Sequence, residues 1–554
     1  MVIIMSFKTF FNNLFVGFSP TPKDNFSLLS SQGNFSNTEN SSELLKGNSN
    51  SSTVPKQLSC NISENLNTIK SIYNVLINSD IVIREFLCTI NKKSYSAFII
   101  HFDGMTNSQM INDFLLKPLM RDSFSSWFAE NNSLDEYILN TLVPQNNVKK
   151  LYDFSEIANS INSGNCVLFI DTINVAFDID IKKFEQRSVN TPENEIVIKG
   201  PQEAFVENLR TNTSMLRRIV HNENMIVENI SVGSMSKTNC SVCYIRDITN
   251  SDLVSEVKYR LNNLEIESLQ STGQLEQLLE DPGSFGIPQI VSTERPDKCA
   301  KFLYQGRVVV LVNGNPYALI MPAVAIDFLA SPEDTNIKSS FANFLRFLRF
   351  LAVCITLFLP GIYVAITSFH QEILPTELLF SIISSRENVP FPVIVELLIM
   401  EISFELIREA GIRVPSPIGS TIGIVGGLII GEAAVSANIV SPFLVIIVAI
   451  TGIASFAIPD FSYGFHLRTF RFIFIFLGFS FGFLGIGMGI FAYITILCSI
   501  KSFGVPFTAP FSPESLTQNV GYVVTPTWKH ETRQSFVGSE HTKRQNKISK
   551  KWEY

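Results

Sequence analysis

Runs of alternating apolar and polar residues, and runs spaced at three and four, divide this chain into stretches of different character. From about residue 67 to 340 the two patterns take turns, as they do in α/β proteins. Ser94–Asp103 alternates as a strand and stops at Asp103-Gly104, and Asn107–Met120 follows with the spacing of an amphipathic helix. Cys166–Asp171, continuing to Asp178, reads as the next strand, and Ile196–Ile198 as a short one closed by Gly200-Pro201. A helix is predicted over about 202–220, strands over 225–232 and 238–246, and helices near 251–268 and 272–280. Val308–Val312 and Tyr317–Met321 flank Asn313-Gly314, a dipeptide suited to a tight hairpin turn. Two α/β subdomains, 67–150 and 151–340, are the simplest parse.

The flanks differ. Residues 1–66 read as a leader; its Ser/Asn-rich part, 20–66, cannot bury enough apolar surface to order itself. After Ser331-Pro332-Glu333-Asp334 the pattern becomes that of a helical membrane domain, 341–500, and 501–554 is a polar, basic tail. Phe350–Phe369 is an uncharged stretch of 20 residues, long enough at 1.5 Å per residue to cross a hydrocarbon core of about 30 Å, with a kink predicted at Pro360. Between Val414 and Pro459 only Glu432 is charged, and Asn438–Pro442 is the natural turn between spans near 418–437 and 440–458. Phe472–Ile500 is uncharged for 29 residues, about 44 Å if wholly helical. It must therefore tilt, protrude or break at its glycines.

The difficult element is Phe391–Glu409. On a helix, Glu401, Glu405, Arg408 and Glu409 share a stripe of about 100°, with Glu396 on another side and apolar residues over much of the rest. Either this helix lies in the interface, or it crosses with the stripe turned toward protein or water. A central charge facing lipid costs at least ~2.5–3.5 kcal/mol. Four or five spans follow, depending on the choice. Arg346 and Arg349 place the start of the first span inside. If 391–409 crosses, the tail ends outside; if it lies flat, the tail is inside.

Composition sharpens this division. Mean hydropathy is +0.22 with 46 phenylalanines and 17% charged residues. Residues 341–500 hold only 16 charges, nine acidic and seven arginines, and no lysine. A wholly soluble enzyme is excluded, as is a transporter made only of spans. The net charge of -7 gives no footprint for nucleic acid. Lys543, Arg544, Lys547, Lys550 and Lys551 make a basic end, read as solvated. Met1–Phe18 lacks a basic start and a continuous apolar core, so the soluble part is expected on the cytoplasmic side.

Candidate chemistry is sparse. Cys240 and Cys243 lie three apart on a predicted strand, hence on opposite faces, where they cannot share a metal. The six histidines form no ligand pair, and no catalytic, metal or cofactor site is expected. Gly478, Gly482, Gly485 and Gly489 sit inside an apolar span with Gly-x-x-x-Gly spacings, which let helix backbones approach closely. Glu401, Glu405, Arg408 and Glu409 carry an acidic excess suited to a water-lined surface or to a partner's basic groups. Together with Glu432 they are the candidate pore or gating residues.

The chain also carries long strings: Asp103-Gly-Met-Thr, Ile111-Asn-Asp-Phe, Glu185-Gln-Arg-Ser-Val-Asn and the stretch from Phe205 to Arg218. Further on come Thr293-Glu-Arg-Pro-Asp-Lys298, Ser331-Pro-Glu-Asp334, the stretch from Phe404 to Arg413, Val440-Ser-Pro442, Ala454–Pro459 and Gly504-Val-Pro-Phe. In these strings, over roughly 78–515, it resembles the A subunits of the GerA-type spore germinant receptors of endospore-forming Firmicutes. The resemblance implies a non-enzymatic protein of the spore's inner membrane. It would work beside a transporter-like, nutrient-binding B subunit and a C subunit lipoprotein, as a homo-oligomeric, channel-like core in membrane lipid. Where the family usually shows Gly-Gln-Ala-Ala-Val, this chain has Gly431-Glu-Ala-Ala-Val435. Two competing expectations are an accessory subunit of the spore's dipicolinate channel, which shares most of these motifs, and a secondary transporter, against which the membrane part shows no internal repeat.

Overall fold

The folded region begins earlier than its composition implies. The structure, a computed structural model, describes residues 57–90, 93–120, 148–182, 195–282, 285–413, 429–512, 523–526 and 531–544, with isolated residues between. The leader up to residue 56, the Glu185–Asn190 string, residues 418–425 and Lys547, Lys550 and Lys551 lie outside these. Helix α1 (Ile62–Tyr73) falls partly within the expected leader. Asn61 caps it by accepting from the Ser63 amide, and Ile69 and Tyr73 are buried. Leu58, Ile62, Leu66, Ile69 and Tyr73 form one apolar stripe, which ordered this Ser/Asn-rich segment.

Strands β1 (Ile81–Ile90), β2 (Lys93–Phe102), β3 (Val148–Leu151), β4 (Cys166–Ile170) and β5 (Ala176–Ile179) form an antiparallel sheet in the order β1-β2-β4-β5-β3. The continuous strand expected from Cys166 to Asp178 is two strands. The chain turns after Asp171, with Thr172 at φ 70°, and β5 runs back along β4. Helix α2 (Phe154–Asn162) packs with α1 on one face, and the helical segment Ser108–Met120, with a π turn at Ile111–Leu116, on the other.

After α3 (Leu209–Ile219) comes a second sheet: β6 (Met225–Val232), β7 (Thr238–Ile245), β8 (Val291–Thr293), β9 (Val308–Val312) and β10 (Ala318–Met321). Its order is β6-β7-β9-β10-β8, again antiparallel, so first, second, fourth, fifth and third strands succeed one another in both sheets. Helices α4 (Ser251–Asn262) and α5 (Thr272–Leu279) separate β7 from β8, and α6 (Pro296–Leu303) leads into β9. Cys240 and Cys243 fall into the apolar cores on opposite faces of β7.

Ile196–Ile198 is not a strand. Val197 is buried while Ile196 and Ile198 are 75% and 89% exposed, and the fully buried Arg295 pins the segment by donating to the carbonyls of Glu195 and Pro201. The helix expected from 202 starts only at Leu209, capped by Asn208; before it, Asn212 holds Val206 in an irregular loop. The helix expected over 251–268 stops at Asn262.

The boundary between the subdomains falls after β5 and not at the expected 150, because β4 and β5 complete the first sheet; a buried polar knot joins the two. Arg217 donates to both oxygens of Asp80 at 2.7 and 2.9 Å and to Asn78 at 3.0 Å, with its guanidinium 4.3 Å from the Phe102 ring centre.

Beyond the short helix Ala325–Leu329 come α7 (Ser339–Phe369), α8 (Thr376–Arg386), α9 (Val393–Arg413), α10 (Pro442–Phe456) and α11 (Phe461–Ser499); residues 429–436 are also helical. Among the described residues, α7 and α11 are long and apolar enough to cross a membrane, and α10 is a shorter apolar helix. Pro360 lies inside the continuous α7. α11 breaks at Gly482, whose φ of 60° and ψ of -140° leave the helix. Its halves then pack against each other in opposite directions: His466 Nε2 lies 3.3 Å from the Tyr493 hydroxyl, and Phe474 meets Tyr493 edge-on.

Both ends of this helical layer adjoin the second subdomain. Arg346 and Arg349 at the start of α7 hold the buried Asp334 at 3.0 and 2.9 Å, and Tyr463 stacks on Phe328. Past α11, Ser502 donates to the Gln289 carbonyl and Phe503 enters the core beneath β9 and β10. The tail, expected to be solvated, docks there as well. Phe536 and Val537 are buried in the same core, Arg533 donates to the Tyr304 carbonyl, and the Glu540 amide to that of Ile248. Two apolar residues within a polar segment supplied the anchor.

Candidate functional site

The apolar helices enclose one concentration of charge, and its geometry follows from how three helices run. α9 and α10 run side by side in the same direction: the Glu396 carboxylate accepts from the Ser441 amide at one end, and Arg408 reaches the Ser455 hydroxyl at the other. Gly452 makes this fit possible, because a Cβ there would lie 2.4 Å from the Phe404 ring. The first half of α11 runs against α9, so that ascending residues of one meet descending residues of the other.

Arg471 thus meets Glu401 at 2.7 Å and Glu405 at 3.1 Å, while Arg468 and Arg408 approach Glu405 at 3.7 and 3.8 Å. Glu401 and Arg471 are almost wholly buried; the Glu405 side chain is 29% exposed. The ring of Phe456 covers the Arg408 guanidinium at 4.2 Å.

The predicted stripe is therefore divided. Glu401, Glu405 and Arg408 enter this cluster, whereas Glu409 is exposed and pairs at 2.7 Å with Arg413 on its own helix. Glu396, on another face, is buried between Arg386 and Ser441. Glu432 is exposed within helical residues 429–436 and far in sequence from the cluster. The acidic excess expected from α9 alone disappears, because Arg468 and Arg471 arrive from α11: three guanidiniums face two carboxylates. Both arginines precede the uncharged run at Phe472, a signal that something must cover them, but only the fold gives their partner.

The glycines also separate in role. Gly478 and Gly361 bring α11 and α7 into backbone contact, since a Cβ on either would lie 2.5–2.7 Å from a carbonyl oxygen of the other helix. Gly482 is the break, lying against His370. Gly485 and Gly489 face Leu477 and Phe474 across the antiparallel halves of α11.

No group of three or more histidine, cysteine or acidic side chains suited to a metal occurs among the described residues. A helical layer with a buried arginine–glutamate cluster, carried on a duplicated α/β layer, is the architecture to set beside known proteins. The family described as Bacillus/Clostridium GerA spore germination protein matches residues 67–536, and the chain belongs to it. Spore germination protein KA of Bacillus subtilis (strain 168) is 37% identical over 89% of this chain and 89% of its own length. The uncharacterized membrane protein YfkQ of the same strain is 35% identical over 86% and 91%. Among solved structures, the crystal structure of the N-terminal domain of the A subunit of the Bacillus megaterium spore germinant receptor GerK3 is 29% identical. It covers 48% of this chain and 97% of its own, with a TM-score of 0.35.

Proposed function

We propose that this chain is the A subunit of a nutrient germinant receptor in the inner membrane of the spore. On this reading it catalyses no reaction, and its helices form an oligomeric membrane core whose opening releases ions at germination. Family membership supports the germination role, and a relative bearing the name of a membrane protein supports the setting. The docking of both ends of the helical layer on the second subdomain supports an even number of crossings, with tail and α/β region on the cytoplasmic side. On this reading α9 crosses within the bundle, and the reversal of α11 at Gly482 adds one crossing to the five this implies, giving an even count. A transporter-like B subunit binds the nutrient, and a lipoprotein C subunit completes the complex.

The observation that carries the oligomeric core is Glu432. It is exposed on an otherwise apolar helical segment, and a carboxylate facing lipid at mid-depth costs roughly 2.5–3.5 kcal/mol. A second copy or a water path covers it. Glu401, Glu405 and Arg471 serve as the gating element, since Arg471 holds both carboxylates and can transfer fully to either. The test is Glu432→Leu, which removes the polar group that glutamate and the family's usual glutamine share, in germinating spores, with potassium release followed after nutrient addition. Release slows several-fold at an unchanged level of the protein; unaltered kinetics would remove the acid from the path.

A further inference from the structure

The arginine–glutamate cluster is short of negative charge. Among the described residues, Glu401 and Glu405 are the only carboxylates within salt-bridge reach of Arg408, Arg468 and Arg471. The side chains of Arg471, Arg408 and Arg468 are 1%, 7% and 10% exposed, so solvent does not make up the difference. Several of their nitrogens are buried without a hydrogen bond: Arg408 Nε and Arg471 Nε, together with Arg408 Nη1 and Arg468 Nε, which approach Glu405 only at 3.8 and 3.7 Å. Glu401 meets Arg471 at 2.7 Å, yet no donor is aligned on either of its oxygens. Aromatic rings above Arg408 and Arg468 exclude water from one side without supplying an acceptor. A buried guanidinium without a counter-charge is strongly unfavourable, and so is a buried donor without an acceptor.

The place of the cluster narrows the missing group. Beyond Arg349 on α7 and beyond Arg471 on α11 the helices are uncharged. Before those points they contact the α/β layer, through Asp334 and through Phe328. The three guanidiniums thus sit where the apolar helices leave the α/β layer, the level at which phosphate groups lie once the helices are in a bilayer. Guanidinium forks match the oxygens of a phosphate, and Glu405, the half-open carboxylate, occupies the position such an anion would take.

We infer that Arg408, Arg468 and Arg471 form a binding site for a phosphate group, which displaces Glu405 from the cluster when it binds. The inference rests on the membrane reading above for its location, and for its chemistry on three buried guanidiniums sharing two carboxylates with nitrogens left without a hydrogen bond. Displacing Glu405 leaves Arg471 to Glu401 alone, so anion binding selects one of the two arrangements of this arginine.

The experiment uses the full chain, freed of phospholipid, in dodecyl maltoside micelles, with its thermal unfolding followed at constant ionic strength set by chloride. Inorganic phosphate is titrated in one arm and dioleoylphosphatidylglycerol in the other. The unfolding midpoint rises with saturation in at least one arm; a response to the lipid alone identifies a headgroup, and one to inorganic phosphate a free anion. Arg468→Gln raises the half-saturating concentration at least tenfold, and Glu405→Gln, which removes the internal competitor, lowers it by about tenfold. The inference is overturned by no response in either arm, by an equal response in Arg468→Gln, or by a response in Glu405→Gln that the unaltered chain lacks. Extraction of the chain from membranes by alkaline carbonate is scored separately: release without detergent overturns the membrane reading, whereas retention with a flat titration overturns the anion site alone.

Discussion

The two sheets share a strand order but not their surroundings. In the first, the edge strand β1 keeps an open face: Leu87 is 60% exposed while its neighbour Cys88 is buried. In the second, β9 and β10 read Val-Val-Val-Leu-Val and Ala-Leu-Ile-Met with every position buried. One face of that sheet packs on a core that continues through Tyr463, Leu467 and Phe474 into the apolar helices, and the other is closed by α4, α5, Phe503 and the docked tail. One connectivity thus serves two purposes: the first sheet is closed by its own helices and leaves its edge strand open, while the second is the foundation on which the helical layer and the tail are built.

The largest effect should come from placing one charge on each sheet. Val310→Asp puts an unpaired carboxylate at a position with no exposure and should cost ~4 kcal/mol or more, whereas Leu87→Lys in β1 should change stability by less than about 0.5 kcal/mol. Urea unfolding in detergent measures both, and similar losses would abolish the distinction. Arg217→Ala comes next. It leaves Asp80 buried without its partner, at about 3–5 kcal/mol, and should convert a single thermal transition into two as the subdomains come apart. A single shifted transition would mean that they are held by something else.

The smallest effect is a difference in pH response. Burial, with Glu280 nearby, pushes the Glu276 carboxyl on α5 up to about 8, and burial pushes Glu280 up to about 7. Folded protein then holds protons that unfolded chain releases, so this contribution is present below about pH 4.5 and is lost as pH rises toward 8. Burial moves His101, on β2, down from its ordinary value, so its contribution is present above about pH 6.5 and is lost on acidification. Midpoints of Glu276→Gln and His101→Asn against pH should flatten opposite slopes; parallel curves would contradict the assignment.

Much of this division was legible in the chain. The hairpin at Asn313-Gly314, strands β6 and β7, and the opposed faces of Cys240 and Cys243 follow from spacing alone. Strand β1 escapes because Arg84 and Glu85 interrupt its apolar run, and β8 because three residues carry no period. Ile196–Ile198 has the period of a strand, but a buried arginine fixes it as a loop. Near the cluster, the stripe on α9 is visible, whereas its pairing to Arg468 and Arg471 spans more than sixty residues and depends on how α11 runs. Which of several glycines breaks α11 is likewise decided by packing: Gly478 is needed for contact with α7, leaving Gly482 to turn.

That turn has a mechanical consequence. Because α11 returns to its starting level, the apolar helices are fastened to the second sheet at their beginning, through Arg346 and Arg349, and at their end, through Ser502 and Phe503. A tilt of the bundle cannot be absorbed by a loose end. It loads both anchorages together and reaches the α/β layer as a torque.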